Sequence, residues 1–120
     1  MSKGIDAILK WSKEYSEIVE NWRYWAKRVK DVIKKYLSDA KVYVFGSVVE
    51  GRYTGASDID ILIVSKDAPR SRRDRIKLQL LIEDALGLNF PRPNPLELHI
   101  VTPEEAEWYF KRLRIKYVEV

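Results

Sequence analysis

Asp58-Ile59-Asp60 runs straight into Ile61-Leu62-Ile63-Val64, so two carboxylates stand at the head of an unbroken apolar run. A run without polar alternation suits a strand buried on both faces. Side chains alternate along a strand, so Asp58 and Asp60 leave it on the same face, about 7 Å apart at Cα. Two like charges at the end of a buried strand are costly unless something positive lies between them. A hard divalent cation with oxygen ligands meets that need, and Mg²⁺ usually shares such sites with substrate phosphates.

Upstream lies a second strand-like run, Lys41–Phe45, rich in β-branched and aromatic residues, and it is followed at once by Gly46-Ser47. Glycine there lets backbone approach a ligand closely, and Ser47 offers a hydroxyl and an N–H to a phosphate oxygen. If Ser47-Val48-Val49-Glu50 opens a helical turn, its free N–H groups make the same spot an anion site. A phosphate cradle ten residues before a carboxylate pair suggests metal-assisted nucleotidyl transfer. The plainer alternative is an ordinary hairpin with an acidic loop.

Gly46-Ser47, ten residues, then Asp58-x-Asp60 between two strands resembles the signature of the DNA polymerase beta nucleotidyltransferase superfamily. The short chain resembles its minimal nucleotidyltransferase branch, whose members commonly act as antitoxins to a HEPN-family ribonuclease by adding AMP to a tyrosine of the toxin. The resemblance implies a polymerase-beta-like fold, ATP as substrate and two Mg²⁺ ions. It implies Gly46 and Ser47 at the triphosphate and Asp58 and Asp60 at the metals. Superfamily members place a third carboxylate, usually aspartate, on a later strand. Here Glu97 takes that place, one methylene longer than the usual residue, as metal ligand and acceptor of the attacking hydroxyl's proton.

The rest of the chain supports that frame. At 120 residues it suits one domain spanning 1–120, with 1–19 as a helical extension and no room for a separate substrate domain. Any large acceptor is then expected on another chain. The absence of cysteine excludes disulfide and thiol chemistry and suits a reducing cytoplasm. MSKGIDAILK lacks the apolar core of a signal peptide, and no run approaches the roughly 20 residues of a membrane span. A net charge of +4 suits nucleotides or RNA without demanding either; nucleic acid is not the favoured partner.

Ile8, Trp11, Tyr15, Ile18, Trp22, Trp25, Val29, Val32 and Tyr36 recur at spacings of three and four, which predicts one long amphipathic helix. Ser2 is its expected N-cap and Ser38-Asp39 its stop, with a bend near Glu20-Asn21 left open. Its second half is expected on the sheet. Its first half, with Ile5, Ile8, Trp11 and Tyr15, reads either as core or as a surface for a partner or a second copy. A further helix is expected over about Arg72–Leu86, with Ile76, Leu80, Leu81, Ala85 and Leu86 inward and Gly87 as its end. The basic run Arg70–Lys77 at its start reads as a solvated face or as a cationic patch for phosphate, RNA or an acidic partner. The prolines of Asn89–Pro95 forbid regular structure.

Leu96–Val101 is the third expected strand, with Leu96, Leu98 and Ile100 on one side and Glu97 and His99 on the other. His99, the sole histidine, reads as structural or as an accessory to the site. Thr102-Pro103-Glu104-Glu105 is a capping box opening a helix to about Leu113, and Ile115–Val120 is an edge strand or a fraying helix end. The expected fold is α/β (α+β), a small mixed sheet packed by helices with its carboxylates clustered at one end. The expected activity is Mg²⁺-dependent transfer of AMP to a partner protein. Two rivals are an antitoxin that masks its partner without catalysis, and a transferase for a small acceptor that works with a second subunit.

Overall fold

The computed structural model describes residues 3–120; the expected cap at Ser2 lies outside them. The predicted long helix is two helices, α1 (Lys3–Glu20) and α2 (Trp22–Ile33). Asn21 breaks it. Its side-chain Nδ2 donates to the Glu17 carbonyl at 2.8 Å, and its backbone N–H is shared between Glu17 O and Ile18 O. Asparagine competes in this way with the helical ladder, and here it sets φ −101°, ψ 33° between the two segments.

Only the inner end of α1 is packed. Ile18 and Val19 are buried with Trp22, Ala26, Val29 and Ile33 of α2, whereas Ile5, Ile8, Leu9 and Trp11 stand exposed. Of the two readings of the first half, core is therefore wrong for Ile5, Ile8 and Trp11, whereas Tyr15 is half-buried against the core. After Ile33 the chain tightens into a turn, with Leu37 N–H donating to Ile33 O, and reaches the sheet at Lys41.

The sheet has four strands in the order β3-β2-β1-β4. β1 (Lys41–Phe45) pairs antiparallel with β2 (Ile59–Val64), and β2 pairs in parallel with β3 (Leu96–Val101). The undecided tail forms β4 (Tyr117–Glu119), antiparallel to β1 at the sheet's edge. Between β1 and β2 lies the one-turn helix α3 (Ser47–Glu50), and the parallel crossover is made by α4 (Arg72–Leu86).

Both faces of the sheet are covered, as the unbroken apolar run of β2 requires. Val42, Val44, Ile59, Ile61, Ile63 and Ile100 pack under α2, α4 and the inner end of α1. Tyr43, Leu62, Val64 and Val101 pack against Ala106, Tyr109 and Phe110 on the opposite side. These last belong to α5 (Pro103–Glu107) and to the wider turn Trp108–Arg112 that follows it, closed by Leu113 N–H on Trp108 O. The capping box at Thr102 and Glu105 is formed as the sequence predicts.

The face of α4 differs from expectation. Leu78, Ile82 and Leu86 are buried, while Ile76, Leu80, Leu81 and Ala85 face outward; only Leu86 lies inward as predicted. Arg75 lies on the same stripe as Leu78 and Ile82 and makes a forked pair with Glu105 at 2.6 and 3.1 Å. Its Nε also donates to Pro69 O. Those bonds fix the helix's rotation about its axis and remove Arg75 from the basic run; Arg70, Arg72, Arg73 and Lys77 remain exposed.

Candidate active site

Register builds the site. In the parallel ladder Asp60 of β2 lies directly beside Glu97 of β3, and Leu62 beside His99. Asp60, Glu97 and His99 therefore project from one face, toward the side covered by Tyr109. One ligand atom from each lies within 4.8 Å of the others, a set able to hold a metal ion. Ile59 N–H donates to Pro95 O at 2.8 Å and locks the two strand starts together just before the carboxylates.

Gly46 closes the site from β1. It has φ 82°, in the left-handed region, and a Cβ there would collide with the Asp60 carboxylate. Phe45 is the register partner of Asp60 across the antiparallel ladder, so the chain must turn away just where the carboxylate stands. Ser47 then opens α3, with the Val49 and Glu50 N–H groups turned back to the Gly46 carbonyl at 3.1 Å. The sequence reading places glycine here for close approach, and the neighbour it approaches in the structure is Asp60.

Asp58 sits one step outside that cluster. It is exposed, at the end of a tight turn in which Thr54 N–H donates to Ser57 Oγ. Its Oδ1 accepts a hydrogen bond of 2.9 Å from the Tyr15 hydroxyl of α1. Sequence reasoning saw Tyr15 only as one member of the apolar stripe. Nothing local could have shown that it reaches Asp58.

His99 is the other residue whose place was left open. Its Nδ1 lies 3.3 Å from the Tyr109 hydroxyl, and its ring packs among Phe45 and Tyr109 with centroids 5.4 and 5.7 Å away. Its Nε2 is buried without a hydrogen-bond partner, 3.6 Å from Asp60 Oδ1 and 3.8 Å from Glu97 Oε1. The sequence puts it on the Glu97 side of the strand, and the structure has it there.

The electrostatics report crowded negative charge. The Glu97 carboxyl is raised above its ordinary range by partial burial and by the charge of Asp60, with Asp58 adding to it and His99 opposing. Tyr15 is pushed up to about 12 by burial and by its hydrogen bond to Asp58. Carboxylate oxygens converging with little positive charge among them suit a hard divalent cation.

Residues 26–119 match the family model described as a nucleotidyltransferase domain. The chain belongs to that family. Its class of chemistry is nucleotidyl transfer, with a nucleotide as substrate. The family match leaves α1 outside, so Tyr15 reaches this nucleotidyltransferase domain from beyond the matched region. A solved structure of a candidate nucleotidyltransferase from Sulfolobus solfataricus is 22% identical, covering 99% of this chain and 86% of that one with a TM-score of 0.49. No curated protein matches the chain. Among the described residues no helix of this nucleotidyltransferase domain is long and apolar enough to cross a membrane.

Proposed function

We propose that the domain transfers AMP from ATP to a hydroxyl on a partner protein, in a Mg²⁺-dependent reaction. The observation that carries this reading is the register that sets Asp60 beside Glu97, with Asp58 two residues before. Asp60, Glu97 and the second oxygen of Asp58 would hold the cation. The carboxylate oxygens of Asp60 and Glu97 fit Mg²⁺, and the third group within reach of both is His99 Nε2. A bound cation neutralises charge developing on the phosphates and favours pyrophosphate as leaving group.

The chain's own residues supply the rest. Gly46 and Ser47 line the triphosphate, with the Ser47 hydroxyl and N–H as donors to its oxygens. The acceptor hydroxyl forms a new bond to the α-phosphorus as the bond to the bridging oxygen breaks and pyrophosphate leaves. Glu97 takes the hydroxyl proton as general base.

A protein acceptor is supported by the outer half of α1. Ile8 and Leu9 are 65% and 58% exposed, an apolar surface on a helix that precedes the family match. This favours reading residues 1–19 as an extension of a single domain. The resemblance to antitoxins of HEPN-family ribonucleases supplies the kind of partner. The same exposed helix favours a second reading, in which the chain masks its partner by binding alone.

Intact mass of a co-purified partner after incubation with ATP and Mg²⁺ decides between them. A gain of AMP units, lost with Asp58→Asn, supports transfer. An unchanged mass with the complex intact supports masking.

A further inference from the structure

Beside the carboxylates, α1 and the turn before β2 flank an open groove of about 470 Å³, lined by Trp11, Ser12, Tyr15, Ser16, Gly55 and Ala56. That volume is within the range of small-molecule pockets, about 300–1,000 Å³. Its aromatic wall is ordered: the Trp11 and Tyr15 rings stack with centroids 5.3 Å apart and planes 28° from parallel. Its opposite wall is thin. A Cβ at Gly55 would come within 2.7 Å of Ser16 Oγ, so the turn approaches the helix as closely as it does because residue 55 has none. Ser16 Oγ hydrogen-bonds the Ser12 carbonyl at 3.0 Å and reaches the Gly55 carbonyl at 3.4 Å, holding helix and turn together.

We propose that this groove is the subsite for the base of the donor nucleotide, with Trp11 as its stacking platform. The inference deepens the proposed function and rests on it. Three observations favour a base over other occupants. The groove adjoins the carboxylates, because the Tyr15 hydroxyl that ends its aromatic wall is the group bonded to Asp58. No lining residue carries a charge, and the only polar side chains besides Tyr15 are two serines, which suits a flat heteroaromatic group. Trp11 is 46% exposed, so a face remains open to be covered. Tyr15 would act as a positioning residue, joining the wall to Asp58.

Stacking predicts a test by equilibrium binding, separate from turnover. Titrate the full chain in Mg²⁺ with an ATP analogue that cannot react at its α-phosphorus, and in parallel with inorganic tripolyphosphate. Trp11→Ala is expected to weaken the analogue about tenfold, within the range that alanine brings to base–aromatic contacts. Trp11→Phe is expected to restore most of that loss, and tripolyphosphate is expected to bind all three chains alike. Equal analogue binding by native chain and Trp11→Ala would overturn the subsite, as would equal loss of both ligands. If the native chain binds tripolyphosphate and analogue equally well, the base has no subsite here. If it binds neither, the nucleotide reading itself falls, and the subsite with it.

Discussion

Gly46 is the residue at which backbone and chemistry constrain each other most closely. Its left-handed φ and the carboxylate against its missing Cβ make any side chain there doubly unfavourable. Gly46→Ala is expected to lose about 1–3 kcal/mol from the backbone alone, and more from displacing Asp60. Thermal unfolding measures the first effect, and cation titration against Asp60 the second. Glu97 has a different expected signature. Glu97→Gln should leave the fold intact and lower single-turnover transfer by roughly 10²–10⁴, the usual reach of a general base. Gly46, Ser47, Asp58 and Asp60 stand out in the sequence by local spacing, and Glu97 by the family resemblance together with strand alternation; the structure brings Gly46, Asp60 and Glu97 together. Tyr15 does not stand out, since its bond to Asp58 spans 43 positions of chain and obeys no period.

The helix α4 was legible in extent and less so in rotation. Its end follows from Gly87, and the structure shows Ser71 capping its start. Its buried stripe does not follow in that way, because α4 carries more apolar residues than one face can use. Leu78, Ile82 and Leu86 form the inner row, in line with Arg75 on Glu105, a contact with no trace in the helix's own pattern. Ile82→Ala should therefore destabilise by about 2–5 kcal/mol, and Leu80→Ala by less than about 0.5 kcal/mol, as read by denaturant unfolding. The same comparison divides α1: Ile18→Ala should fall in the first range and Ile8→Ala in the second.

The Arg75–Glu105 fork also makes a statement about pH. Arg75 and the Thr102 N–H hold the Glu105 carboxyl down to about 2 from its ordinary 4.5. A carboxyl depressed in the folded state contributes stability above its unfolded value. That contribution is lost as pH falls from about 4.5 to about 2. Glu105→Gln should lower stability at neutral pH and give a shallower acid limb between those values, measured by unfolding at a series of pH values.

At the scale of the whole molecule, the mixed sheet was foreseeable from its parts: an apolar β2 that needs cover on both faces, and a helix between β2 and β3 long enough for a parallel crossover. The place of β4 was not, because Tyr117–Glu119 is exposed and carries no apolar alternation; it is held by pairing with β1 and by Tyr117 against Tyr43 and Phe110.

The parallel pairing of β2 with β3 has a kinetic consequence. β1 and β2 are near neighbours in the chain and can meet early, which brings Gly46 to Asp60. Asp60 and Glu97 meet only when α4 and the proline-rich loop have folded back across the sheet, a closure that is slow relative to local contacts. A growing or refolding chain would thus hold one half of its carboxylate cluster before the other. If the proposed function holds, recovery of cation binding should track the slowest step of refolding, and an unfinished chain would have little means of using a nucleotide.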